Sequence, residues 1–211
     1  VLKAKEMGLR VICFAWAKGA VCAELVDRFY PVSIVEKEEI LRICQEESID
    51  GICTIASDVA SPTVAYVAEH LGLPGNSYSS ALKANDKFKM RSAFLEAGIR
   101  CPRFMHTGIV VEKLPESWEY PVIVKPCDRS GSLGVQKVND DVELCKCVKD
   151  ALNYSFKHEA IIEEYIEGRE VSVEFVSHSG IHYPLTVTDK VTTGAPHFVE
   201  LEHHQPSNLS S

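Results

Sequence analysis

The sequence predicts an α/β fold, with a parallel sheet and helices over residues 1–79 followed by an α+β region over residues 80–211. Three observations carry this. Apolar runs of strand length alternate with segments of helical periodicity as far as the LPGNS turn at 73–77, the pattern of βαβ units on a parallel sheet. Beyond that turn, short β-rich runs punctuated by prolines surround helical segments, which reads as α+β. Hydrophobic residues make up 45% of the 211 and charged residues 25%, the balance of a globular chain large enough for two small domains.

KAKEMG reads as the end of a helix stopped by Gly8, and LRVICFAW as a buried strand. KEEILRICQEES places Ile40, Leu41, Ile43 and Cys44 on one helical face. IDGICTI reads as a second buried strand. SPTVAYVAEHLGLPG reads as a helix with Ser61 as N-cap, Pro62 at its first position and Gly72 beyond its end. A sheet of this kind normally opens on a strand and a glycine turn, so a first strand is expected before Val1. After the turn, residues 81–98 read as a helix ending at Gly98, followed by short strands separated by Pro102, Pro115, Pro121 and Pro126. A helix near 140–153 and a strand pair, AIIEEYI and EVSVEFV, complete the reading. The chain closes on polar PSNLSS with no helix to cap the fold. Both domains therefore read as incomplete.

The formal net charge of −8 argues against a generic nucleic-acid partner, which would call for a basic surface. No apolar run approaches membrane-spanning length, and the start carries no signal-peptide pattern, so no membrane partner and a cytoplasmic location are expected. Most of the eight cysteines sit in apolar contexts such as RVICF and DGICTI, no CxxC occurs, and Cys145 and Cys147 form only a CxC on a predicted helix. They read as free thiols of a reducing compartment rather than as disulfides or a metal site.

The chemistry concentrates in YPVIVKPCDRSGSLGVQKV, residues 120–138. Lys125 follows an apolar strand directly, where a charge needs an anionic partner. Ser130, Gly131, Ser132 and Gly134 form a small-residue loop that is either a plain hairpin turn or a cradle of N–H groups for an anion. The anion is a phosphate or a neighbouring carboxylate. Lys87, in NDKFKM, taken alone reads as a solvated lysine at a helix start. EEYIEGRE, 163–170, ends a strand with Glu163 and Glu164, continues through Tyr165 and Ile166 to a hinge at Gly168, and places Glu170 before the next strand. Taken singly it is a charged connecting loop. Together these elements suit a nucleotide, with lysines and a glycine loop for polyphosphate, hinge backbone for a base edge and a carboxylate for ribose hydroxyls.

In order and spacing, these segments resemble the ATP-grasp carboxylate–amine ligases. ANDKFKMRSAFLEAGIRCPRFMH resembles that family's DK-x-x-M-x-x-x-L-x-x-x-G-I-x-x-P segment, YPVIVKPCDRSGSLGV its lysine strand and triphosphate-covering loop, and AIIEEYIEGREVSVEFV its adenine hinge with the ribose glutamate. The resemblance implies a Rossmann-like pre-ATP-grasp domain at 1–79 lacking its first strand, and the nucleotide-binding part of an ATP-grasp domain at 80–211. It implies ATP and Mg²⁺ as cofactors, with Lys87 and Lys125 on the phosphates, Ser130 to Gly134 closing over them, Glu163 to Ile166 holding adenine and Glu170 taking the ribose. Nothing after Glu170 matches the family's late E-x-N-x-R metal segment. Glu200, Glu202 and Asp189 are acidic in other contexts, and His203 and His204 are adjacent, so no metal ligand is expected in this chain.

The implied reaction is ATP-dependent activation of a carboxylate as an acyl phosphate for attack by an amine, which makes small molecules the expected partners and a homodimer a possible assembly. His197, Glu200 and His203 in TDKVTTGAPHFVELEHHQPSNLS are candidates for substrate contact, or a polar surface hairpin. Ser57 and Asp58 follow IDGICTI, at the strand edge where open α/β sheets hold ligands, or simply precede a helix cap. Two alternatives stay open: a bicarbonate-activating enzyme like carbamoyl-phosphate synthase or biotin carboxylase, and a non-catalytic nucleotide-binding module.

Overall fold

The computed structural model describes residues 1–55 and 57–209. These divide into two compact units, Val1–Lys89 and Met90–Ser211, whereas the boundary expected at 79/80 lies inside a helix.

The first unit opens with α1 (Leu2–Glu6), which Gly8 ends in the left-handed region at φ +77°. A two-stranded parallel sheet follows, β1 (Ile12–Phe14) with β2 (Arg28–Tyr30), Ile12 pairing with Arg28 and Phe14 with Tyr30. LRVICFAW thus supplies only three strand residues, all half-buried, and Trp16 is exposed. Helices α2 (Lys37–Glu46) and α3 (Ser61–Leu71) pack on each other. Ile40, Cys44 and Val67 form the buried centre, with Phe14, Val32, Ile52 and Leu71 around it. Glu47, at the end of α2, accepts hydrogen bonds from the Tyr30 hydroxyl and the guanidiniums of Arg10 and Arg28. These donors, Tyr30 foremost, hold its carboxyl down at about 2.

Two expectations for this unit are corrected. IDGICTI is not a strand; no described residue of it enters a ladder, and Ile55 and Cys53 are exposed. An apolar run becomes a strand only where a partner edge takes up its backbone groups. The N-cap of α3 is Ala60, not Ser61, which is already helical, although Gly72 does end the helix at φ +65°.

The helix expected over 81–98 is two helices, α4 (Tyr78–Asn85) and α5 (Lys87–Glu96), the latter spanning the division between units. Ser77 caps α4 by accepting from the Ser80 N–H at 3.2 Å. Asp86 breaks the run: its backbone is extended, and its carboxylate accepts from the N–H groups of Phe88 and Lys89 at 3.1 Å, capping α5.

The second unit contains a four-stranded antiparallel sheet in the order β3 (Phe104–Thr107), β6 (Ala160–Glu164), β4 (Val122–Pro126), β5 (Gln136–Val138). One face packs on α6 (Asp141–Tyr154). The helix buries Leu144, Cys147, Val148, Ala151 and Leu152 at helical spacing against Val122, Val124, Val138, Ala160 and Ile162. Each of the buried Leu, Val and Ile side chains contributes about 1.5–3 kcal/mol on burial. Asp140 caps α6, accepting from the Glu143 N–H at 2.8 Å.

A three-stranded antiparallel sheet follows: β7 (Val171–His178), β8 (Ile181–Thr192) and β9 (Glu200–His204). AIIEEYI and EVSVEFV are therefore not partners. β6 pairs with β3 and β4, while β7 pairs with β8. The connection through Gly168 lets the chain leave one sheet for the next, which periodicity along the sequence does not encode.

Candidate functional site

Alternation along the strands decides which side chains meet. Val122 and Val124 point to α6, so Ile123 and Lys125 point away from it. Ile123 pairs with Glu163 and with Lys137, and Phe104 also pairs with Glu163. The face opposite α6 thus carries Phe104 and His106 from β3, Ile161 and Glu163 from β6, Ile123 and Lys125 from β4, and Lys137 from β5. On it, the Lys125 ammonium forms an ion pair with Glu163, and Arg91, from α5, donates to the same carboxylate at 2.6 Å. The Glu163 side chain is only 4% exposed. Burial pushes its carboxyl up, yet the Lys125 charge and the hydrogen bonds from Arg91 and Lys125 outweigh this and hold it below the ordinary value. In this structure, then, the anion beside Lys125 is a carboxylate.

That carboxylate does not balance the face. Lys125, Arg91 and Lys137 stand against Glu163 at this end of the face, with Glu159 the further carboxylate beyond them, and the Lys137 ammonium lies 3.9 Å from the centre of the Tyr165 ring, a cation–π contact. An excess of cationic groups on a partly buried sheet face attracts anions more strongly than the same groups in water.

The loop after β4 adjoins this face. Gly131, Ser132 and Gly134 have φ of +63°, +56° and +75°. Internal bonds run from the Leu133 N–H to Ser130 O at 3.3 Å and from the Val135 N–H to Ser132 O at 3.1 Å, so those of Gly131 and Ser132 are not spent in them. Positive-φ turns of this sort form anion-accepting concavities. Only glycine fits at 134, where a Cβ would lie 2.9 Å from Pro126 Cγ and 3.0 Å from Tyr154 Cδ2. The Ser132 hydroxyl donates to Phe198 O at 2.9 Å, tying the loop to the turn between β8 and β9.

The hinge candidates sit where β6 ends. Glu164 is exposed and its N–H donates to Arg103 O at 2.9 Å, so that donor is engaged within the sheet. Tyr165 and Ile166 have left the ladder, and Gly168 stands in open space. Glu170 accepts from the Lys190 ammonium at 2.7 Å. Lys190 reaches Glu200 at the same distance, and His203 lies 3.5 Å from Glu200. Glu170, Glu200 and His203 are thereby gathered around one lysine, whose ammonium these acids keep charged against the opposing effect of burial. His197 stands apart, exposed, with Nδ1 3.5 Å from Val135 O. Asp189 is engaged by Arg169, Ser207 and Asn208, and Glu202 by His204.

Three candidates belong to the first unit. Lys87 is the half-buried first residue of α5, one turn before Arg91. Ser57 and Asp58 lie in the turn before α3, their carbonyls accepting from the Ala60 and Ser61 N–H groups at 3.3 and 3.2 Å. Sequence reasoning missed Arg91, Lys137 and Lys190. A signal existed for each: Arg91 lies at helical spacing from Lys87, and Lys137 and Lys190 interrupt β-rich runs as Lys125 does.

Residues 84–199 match the model of the ATP-grasp domain family. The chain is 33% identical over 144 residues to a D-alanine–D-alanine ligase of Bacillus cytotoxicus, covering 61% of this chain and 39% of that protein. It is 27% identical over 196 residues to an alanine–anticapsin ligase of Bacillus subtilis, covering 82% and 41%. It superposes on the crystal structure of an L-amino acid ligase from Bacillus licheniformis with a TM-score of 0.81 at 28% identity, over 99% of this chain and 51% of that one. The chain thus spans about half the length of the proteins it matches, or less.

Proposed function

Because the chain belongs to the ATP-grasp domain family, we propose that it forms the nucleotide-binding part of an ATP-dependent carbon–nitrogen ligase, which activates a carboxylate as an acyl phosphate for attack by an amine. The observation that carries this reading is the cationic sheet face beside the positive-φ loop, Lys125 with Arg91 and Lys137 next to Gly131–Gly134. Transfer of a γ-phosphoryl group needs charge neutralisation and positioning more than a protein nucleophile, and lysines with backbone N–H groups supply both.

In this reading Lys125 exchanges part of its pairing with Glu163 for a phosphate, and the loop closes over the triphosphate. Adenine lies against Glu163 to Ile166, held largely through backbone groups of Glu164 and Ile166, and Glu170 turns from Lys190 to the ribose hydroxyls. Lys87 keeps a phosphate role, and Ser57, Asp58, His197 and Glu200 keep substrate roles. The division into a Rossmann-like domain at 1–79 and a nucleotide-binding domain at 80–211 belongs to the same proposal, as do a cytoplasmic location and a homodimer. No helix among the described residues is long and apolar enough to cross a membrane.

Magnesium is implied as the companion of the triphosphate, but the acids after Glu170 do not fit it. Asp189, Glu200 and Glu202 are each already engaged by cationic or hydrogen-bonding side chains, so no step is assigned to the metal here. Amino acids are the favoured substrates, since the relatives above are ligases of alanine or of L-amino acids by name. The test is ADP release by the full-length protein against a panel of amino acids and against bicarbonate. Release dependent on an amino-acid pair supports the ligase. Release with bicarbonate alone would replace it with a bicarbonate-activating enzyme, and ATP binding without turnover would leave a binding module.

A further inference from the structure

Two residues beyond the Lys125–Glu163 pair, the same sheet face carries a different set of side chains. The Cys127 N–H donates to Glu159 O at 3.1 Å, which extends the β4–β6 ladder by one rung and sets Cys127 opposite Glu159. On the other side of β6, His106 pairs with Ile161, two residues from Glu159 and hence on its face. Three adjacent strand ends therefore deliver an imidazole, a thiol and a carboxylate to one place. One ligand atom from each lies within 4.8 Å of the others, and His106 Nε2 is 3.8 Å from the Glu159 carboxylate.

We propose that His106, Cys127 and Glu159 form a binding site for a zinc-class divalent transition-metal ion, separate from any magnesium that accompanies a nucleotide. A tetrahedral ion holding nitrogen and oxygen at about 2.0–2.2 Å and sulfur at about 2.3 Å sets its ligand atoms roughly 3.3–3.8 Å apart. The His106–Glu159 separation already meets this, and side-chain rotation on fixed strands closes the rest. Thiolate and imidazole favour zinc, cobalt or copper over the hard magnesium ion. Cys127 is wholly buried, while the side chains of His106 and Glu159 are 30% and 35% exposed, which leaves an open side for ion entry and for a fourth ligand from water. On coordination the thiol loses its proton to solvent. The ion would then clamp β3, β4 and β6 at the base of the 128–134 loop.

The experiment titrates the full chain, reduced and freed of metal by a chelator, with Co²⁺ as the spectroscopic probe and then with Zn²⁺ in competition. The proposal expects one equivalent bound at micromolar concentration or below, with thiolate-to-cobalt charge-transfer absorption and tetrahedral visible bands that Zn²⁺ removes and millimolar Mg²⁺ does not. Cys127→Ser should abolish the charge-transfer absorption. His106→Gln and Glu159→Gln should each weaken binding ten-fold or more, while Cys101→Ser leaves it unchanged. Zn²⁺ should raise the melting temperature of the wild type and not that of Cys127→Ser. Absence of micromolar binding, a charge-transfer band that survives Cys127→Ser, or wild-type affinity in the part-exposed Glu159→Gln, which tests the site even if Cys127→Ser does not fold, would each overturn the proposal. No nucleotide enters the measurement, so its outcome is independent of the ligase reading.

Discussion

Lys125 and Glu163 form an ion pair across the adjacent strands β4 and β6, on the sheet face turned away from α6. With their side chains 16% and 4% exposed, neither can be removed without leaving the other poorly solvated. Arg91 shares the carboxylate, so the pair is part of a three-membered network. Breaking a buried pair by removing one partner costs about 3–5 kcal/mol, and the remaining Arg91 contact reduces this to roughly 2–3 kcal/mol for Lys125→Met. The double variant Lys125→Met/Glu163→Gln should recover part of that loss. A urea-denaturation double-mutant cycle measures the coupling, and strictly additive effects would show that the pair contributes nothing.

Acid stability follows from the depressed carboxylates. Glu47 has a folded value of about 2 against an ordinary 4.5. Between these values the unfolded chain binds more protons than the folded one, so stability is fully present above about pH 4.5 and is lost as the pH falls toward 2. Glu163 acts in the same direction below the ordinary glutamate range. Glu47→Gln should flatten the fall in melting temperature over that window while leaving Glu163's share, as followed by circular dichroism from pH 6 downward.

The two loop glycines separate strain from lack of space. Gly131 and Gly134 both have positive φ, but a Cβ at 131 meets nothing within 4 Å, whereas one at 134 meets Pro126 and Tyr154. Gly131→Ala should cost about 1 kcal/mol, the usual penalty of that conformation for an L-residue. Gly134→Ala should cost about 2–3 kcal/mol, because overpacking adds to it. Equal melting temperatures for the two variants would contradict the packing described here.

Nucleotide choice tests Glu170. Its carboxylate accepts from the Lys190 ammonium at 2.7 Å. A charge-assisted hydrogen bond to a ribose hydroxyl is worth about 1.5–3 kcal/mol, so the full-length protein should bind ATP roughly ten-fold or more tightly than 2′-deoxy-ATP. Glu170→Gln should shrink that preference. Equal discrimination by wild type and variant, measured by competition binding, would leave Glu170 as a surface acid salt-bridged to Lys190.

How far the sequence disclosed this depended on the range of the interactions. Periodicity located α2, α3 and α6, because a helix's buried stripe is written within its own residues; Leu144 to Leu152 is the clearest case. Lys125 was visible as a charge at the end of an apolar strand, and the residue types of 128–134 showed the turn. Its partner was not visible. Glu163 meets Lys125 only through the β4–β6 register, whereas its place in EEYIEGRE suggests a hinge residue facing a base. The failure at IDGICTI has the same origin, since strand formation depends on a neighbouring edge that its own composition does not reveal. Likewise, the residues around Cys127 do not reveal that the register sets it opposite Glu159 and beside His106.

The central claim is that the sheet face carrying Lys125 receives a nucleoside triphosphate. Calorimetric titration of ATP into the full-length protein, its Lys125→Ala variant and its Lys149→Ala variant tests it most directly, Lys149 being an exposed residue of α6 outside this face. The account predicts that Lys125→Ala weakens ATP binding by about 1.5–3 kcal/mol, ten-fold or more, as expected for loss of a charge-assisted bond. Lys149→Ala should bind as the wild type does. Equal affinities for the two variants, each shown to be folded, would contradict the claim and leave Lys125 as nothing more than the counter-ion of Glu163.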